Sequence, residues 1–171
     1  MKNIGVFLLG TLLVVSASFS TEKAQALLMN RAGEVVGKAE LIEGSGGVLI
    51  TVRASGLPPN AELAFHIHER GECVPPSFKS AKGHYNPEGK EHGLLNPKGH
   101  HAGDMPNVFT DANGKLRVDI FNSKVTLKSG KPNSLFKKGG TAIVLHEKGD
   151  DYRSNPAGNA GKRIICGVIK R

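Results

Sequence analysis

His66-Ile67-His68 lies inside an apolar run, Leu63-Ala64-Phe65-His66-Ile67-His68, that reads as a β-strand. Residues two apart on a strand point the same way, so two imidazoles stand side by side on one face, spaced to hold one metal ion. Histidine is the commonest metal ligand among side chains. The other histidines of this chain are His84, His92, His100, His101 and His146, with Asp104 among them. Zinc favours tetrahedral N, O and S ligands, and sites closed by four protein ligands are structural. His84, His92, His101 and Asp104 supply three imidazoles and a carboxylate within about twenty residues, which suits such a site. His66 and His68 with His146 make an all-imidazole set, which suits copper. A lone His-x-His is more often a satisfied core or surface pair than a ligand pair. Seven histidines and an aspartate in or beside two long loops point to metal binding. Spacing alone does not assign each histidine to one metal.

The elements that must position these residues read as short strands. They fall at 34–42, 48–54, 62–69, 108–110, 115–121, 141–146 and 163–169. Leu27-Leu28-Met29-Asn30 is an opening strand that turns through Arg31-Ala32-Gly33. Asp111-Ala112-Asn113-Gly114 is a hairpin signal between 108–110 and 115–121. There is no strong amphipathic helix and no internal repeat. Seven or eight strands predict an all-β antiparallel sandwich or barrel. Two irregular stretches, about 70–106 and 148–162, interrupt it, and loops of that length inside a domain are usually functional. The first is too polar to pack a core by itself, so something else should hold it, and a metal plus a disulfide from Cys73 would do so.

The chain has 171 residues, about one domain. Its 22 glycines, 5% aromatic content and lack of tryptophan fit a turn-rich β protein. Met1-Lys2-Asn3 followed by the apolar stretch Ile4 to Val15 reads as a signal peptide, too short for the ~20 residues that span a bilayer. Ala24-Gln25-Ala26 fits the small-residue cut pattern and places the leader at 1–26 and the mature domain at 27–171; Val15-Ser16-Ala17 is an earlier candidate. The alternative is an uncleaved interfacial anchor. The expected location is periplasmic, cell-envelope or extracellular. Two cysteines, Cys73 and Cys166, suggest one disulfide in an exported protein. Closing so long a loop is worth on the order of 4–5 kcal/mol in the chain-entropy picture. The net charge is +8, and Lys128, Lys131, Lys137 and Lys138 form a loose basic cluster. A solvated loop is the ordinary reading; weak attraction to an anionic cell surface is the other. No aromatics are interleaved with these lysines, which argues against nucleic acid. No later segment resembles a membrane span.

Five stretches carry a closer likeness. They are Phe65-His66-Ile67-His68-Glu69, Gly83-His84-Tyr85-Asn86-Pro87, His101-Ala102-Gly103-Asp104, 144–151 (Val144 to Asp151) and 158–169 (Gly158 to Ile169). In order and spacing the chain resembles the copper/zinc superoxide dismutases, of the bacterial exported type, over about residues 27–170. The resemblance implies a Greek-key antiparallel β-sandwich or flattened barrel of about eight strands with two long functional loops. It implies copper on His66, His68, His84 and His146, zinc on His84, His92, His101 and Asp104, and His84 as the bridge. Asp150 would orient one histidine of each set, Arg163 would dock the anion, and Cys73 and Cys166 would pair. The implied activity is dismutation of superoxide to dioxygen and hydrogen peroxide by alternate reduction and reoxidation of the copper, with zinc structural. His84 and Arg163 would be the catalytic residues. The 148–162 loop is short and lacks the acidic cluster and lysine that steer substrate in animal members; Lys162, Arg153 and Arg163 are the basic residues available instead. His100 matches no ligand and is expected to be exposed; the alternative is that it competes with His101. A metal-storage module of the same fold, or a basic adhesion domain, are the rival readings; the chain keeps every implied ligand and the arginine, which favours the enzyme. Monomer and homodimer are equally compatible with the sequence.

Overall fold

In the computed structural model the described residues are 21–171. Among these residues nine strands run in chain order: β1 (Lys23–Asn30), β2 (Val35–Gly44), β3 (Gly47–Ala54), β4 (Glu62–Leu63), β5 (Phe65–His68), β6 (Val108–Phe109), β7 (Leu116–Asn122), β8 (Ala142–His146) and β9 (Arg163–Val168). Seven form one curled antiparallel sheet in the order β5-β8-β9-β1-β2-β3-β7, and β4 pairs with β6. Lys79–Ala81 forms a single 3-10 turn. No helix among the described residues is long and apolar enough to cross a membrane.

Period-two alternation builds the core. Ala24, Ala26 and Leu28 of β1, Ala39 and Leu41 of β2, and Val48, Ile50 and Val52 of β3 are buried, with exposed neighbours between most of them. Strands β5 and β8 differ, because every residue of both is buried. Phe65, Ile67, Ile143 and Leu145 pack into the main core. The register His66↔Val144 and His68↔Ala142 turns both histidines to the opposite face, the one that carries Val144, Ala142 and His146. The two long loops cover that face. Cys73 and Cys166 are bonded, with Cα atoms 5.7 Å apart and 93 residues between them, and pin the first loop to β9. Phe78, Ala81, Ala142 and Val144 pack around the bridge.

The structure departs from the sequence expectation in three places. The expected strand at 62–69 breaks at Ala64. Its amide donates to the Lys148 carbonyl (2.8 Å) and its carbonyl accepts from His146 (3.0 Å), so β4 and β5 find different partners. The turn at 111–114 does form, closed by Gly114 N–H to Asp111 O (3.0 Å), but its flanking strands do not pair. Strand β7 lies along β3 in the register Ala54↔Leu116, which buries Leu116 in the core. Turn residues reverse the chain; burial chooses the partner. Finally, β1 starts at Lys23 rather than at Leu27. Residues 1–20 of the expected leader lie outside the described residues.

Candidate metal centre

Two sets of buried side chains converge on the covered face. His66, His68, His84 and His146 bring one potential ligand atom each to within 4.8 Å of one another, and His84, His92, His101 and Asp104 do the same. His84 belongs to both. It comes from the first long loop, which runs beside β5 as an added strand: Tyr85 N–H donates to Ile67 O (2.8 Å) and Glu69 N–H to Gly83 O (2.9 Å). Gly103 closes the other side, with Ile67 N–H donating to its carbonyl (2.9 Å). A Cβ on Gly103 would sit 2.2 Å from the Ile67 oxygen, so only glycine lets Asp104 reach the histidines. Tyr85, itself buried, anchors this stretch by donating its hydroxyl to Ser134 O (3.0 Å).

Each copper-suited ring has one nitrogen committed elsewhere. His66 Nε2–H donates to Asp150 Oδ2 (2.8 Å), His68 Nδ1–H to Lys82 O (2.9 Å) and His146 Nδ1–H to Gly161 O (3.3 Å). His84 Nδ1 faces Asp104 Oδ1 at 2.8 Å. These bonds fix the tautomers and leave His66 Nδ1, His68 Nε2, His84 Nε2 and His146 Nε2 as bare buried nitrogens with no hydrogen-bond partner. A buried polar atom left unsatisfied costs roughly 1–3 kcal/mol, so four lone pairs collected in one place make sense only around a cation.

The second set is anionic. Asp104 sits 2.8 Å from His84 Nδ1 and 3.2 Å from both His92 Nδ1 and His101 Nδ1. Its other anchors are the backbone amides of Gly93 (3.0 Å) and His101 (3.1 Å), both donating to Oδ2. Asp150 holds the far side of two rings at once, accepting from His66 Nε2 on one oxygen and His92 Nε2 (3.0 Å) on the other.

Burial depresses His146 to about 3 and His84 to about 4, and holds His68 well below the ordinary range, with neighbouring rings adding to the effect. All three stay neutral and ligand-competent at neutral pH. His92 goes the other way. Burial works against its charge, but hydrogen bonds to Asp104 and Asp150 outweigh it and push the ring up to about 9. Burial likewise raises Asp104 and Asp150, yet the surrounding histidines win and hold both carboxyls below the usual range. Two buried carboxylates flanking one ring mark a position that favours a cation. The donor sets therefore fit both metals: four imidazoles for copper, three imidazoles and a carboxylate for zinc.

The family model for copper/zinc superoxide dismutase (SODC) matches residues 35–169. The chain belongs to the copper/zinc superoxide dismutase family. It is 67% identical over 171 residues to superoxide dismutase [Cu-Zn] 2 of Aquifex aeolicus, covering 99% of this chain and all of that one. Among solved structures, a double mutant of a SOD-like protein from Bacillus subtilis superposes with a TM-score of 0.83 at 47% identity, over 84% of this chain and 95% of that one. The Cu/Zn superoxide dismutase from Brucella abortus gives a TM-score of 0.71 at 27% identity, over 87% and 100%.

Beside this dismutase centre, Arg163 spans two loop carbonyls, donating Nη1–H to Phe78 O (2.6 Å) and Nη2–H to Lys82 O (2.5 Å). The Lys82 carbonyl also accepts from His68, so the arginine and this imidazole share one anchor. Half-burial lowers the pKa of Arg163, but a guanidinium remains protonated throughout the working range. Lys162 and Arg163 line a cleft of about 340 Å³ with Arg31 and Lys79. Arg153 points elsewhere, toward the Leu95 carbonyl (3.5 Å). His100 is not exposed as expected: it is half-buried, donates from Nδ1 to the His101 carbonyl (2.8 Å) and belongs to neither cluster.

One residue that the sequence gives no sign of is Asn107. Its Oδ1 accepts from Asp150 N–H (2.8 Å), and its Nδ2 donates to Asp150 O (3.0 Å) and to Glu62 Oε1 (2.7 Å). Both backbone groups of Asp150 are thus clamped by one amide. An asparagine near a strand start looks like any turn residue, and only the folded chain brings 107 to 150.

Proposed function

We propose that His66, His68, His84 and His146 hold the copper of this dismutase, that His84, His92, His101 and Asp104 hold its zinc, and that His84 joins the two. The bare, buried nitrogens of the first set, each with its opposite nitrogen tied down, carry this reading. Copper supplies alternate one-electron oxidation and reduction of superoxide, giving dioxygen and hydrogen peroxide, and zinc supplies charge and shape. The chain does the rest. Arg163, fixed by two carbonyls, offers its remaining N–H groups to the superoxide anion and sets its approach. His84, held at Nδ1 by the Asp104 side, takes up and gives back a proton at Nε2 for the peroxide product. Asp150 keeps the His66 and His92 rings from turning.

The same reading includes export. A disulfide closing 93 residues is stable in oxidising compartments, and the leader pattern of the N-terminus agrees.

Purified protein loaded with copper and zinc should remove superoxide far faster than free copper chelates. His84→Ala should lose that activity and weaken both metals. Full activity in His84→Ala, or none beyond chelates in the parent, would end this assignment.

A further inference from the structure

The leader carries two small-residue cut motifs, Val15-Ser16-Ala17 and Ala24-Gln25-Ala26. The second lies inside β1. Lys23, Ala24, Gln25 and Ala26 pair in sequence with Ile42, Leu41, Glu40 and Ala39 of β2. Ala26 and Ala24 are 1% and 7% exposed and belong to the main core. Gln25 and Lys170 exchange two backbone hydrogen bonds, of 2.7 and 2.8 Å. Glu22 is held as well. Its carbonyl accepts from Glu43 N–H (2.9 Å), and its carboxylate accepts from Arg171 Nη2 (3.1 Å). Arg171 also donates to Ser129 Oγ (2.8 Å) and covers the Phe136 ring at 4.3 Å. Residues 22–26 therefore fasten the C-terminal residues to the sheet.

We propose that the exported chain is cut upstream of Glu22, after Ala17, and that Ala24-Gln25-Ala26 is a strand of the mature enzyme rather than its cleavage site. This rests on the export reading above. The better match to the cut pattern yields the worse product. A chain beginning at Leu27 leaves the Ala39–Ile42 stretch of β2 without its neighbour in the interior of the sheet. It also leaves the Lys170 backbone unpaired and empties the space of two core alanines. A chain beginning at Ser18 keeps every one of these contacts.

The test has two arms. The full-length chain is expressed in a bacterium with a general export pathway, and the exported form is read by intact mass. The expected N-terminus is Ser18. An N-terminus at Leu27 overturns the cut position and leaves export standing; an uncut chain overturns both. In the second arm, chains beginning at Ser18 and at Leu27 are made without a leader and melted with both metals bound. The Leu27 form should melt lower by about 10 °C or more, or fail to fold, since each kcal/mol lost shifts a domain of this size by about 2–4 °C. Equal melting of the two forms overturns the proposal.

Discussion

At the scale of single residues, the centre is a set of rings whose freedom has been removed. Asp150 fixes one imidazole from each cluster, and Asn107 fixes Asp150. Outer partners of this kind are worth about 10–100-fold in metal affinity. Asp150→Asn still offers an oxygen to one ring but cannot accept from both. It should weaken binding of copper and zinc together by that order, measured by competition with a chelator. Asn107→Ala should do the same more mildly, with little change in folded content by far-ultraviolet circular dichroism. Arg163→Ala should leave copper bound yet lower kcat/KM by roughly 10–100-fold, the range expected for one lost charge-assisted hydrogen bond of about 1.5–3 kcal/mol. Copper loss instead of a kinetic defect would assign Arg163 to holding the Lys82 carbonyl for His68. The residues of the two clusters were legible because histidine is rare and here concentrated. Asn107 was not, because an amide reveals its task only through the partner that folding brings to it.

At the scale of elements, backbone spacing decides what the side chains can do. Gly158 (φ +63°) lies over the Asp150–His92 contact, and a Cβ there would stand 1.8 Å from Asp150 Oδ1 and 2.7 Å from His92 Nε2. Gly158→Ala should therefore displace the carboxylate and loosen the proposed zinc set in particular; substituted cobalt, whose visible spectrum reports coordination, would show it. An unaltered spectrum and affinity would mean that the 148–162 loop shifts away without cost. Strand existence was readable from alternation, since β1, β2 and β3 each bury one face. Partner choice was not. The 62–69 run divides between two pairings because Ala64 spends its backbone groups on residues 146 and 148, more than eighty positions away. Nothing local in that run announces the break.

For the whole molecule, one long loop is tied to the sheet in two places. The disulfide fixes Cys73 to β9, and the two clusters tie His84, His92, His101 and Asp104 to histidines of β5 and β8. Between the ties lie Phe78 and Lys82, whose carbonyls hold Arg163, while Lys82 also holds His68. The ties share contacts, so their effects should not add. Reducing the bridge frees the backbone that orients His68, and ordering it again must be met from the metal-binding energy. Metal affinity should fall on reduction by about tenfold, a coupling of ~1.4 kcal/mol. Linkage then requires the reverse: metals must protect the bridge against a thiol reductant by the same factor at equilibrium. Both halves can be measured on one preparation, by chelator competition on oxidised and reduced protein and by thiol–disulfide equilibration with and without metals. Equal metal affinity in the two redox states would show that Lys82 keeps its place without Cys73, and that the loop is held by the metal clusters alone.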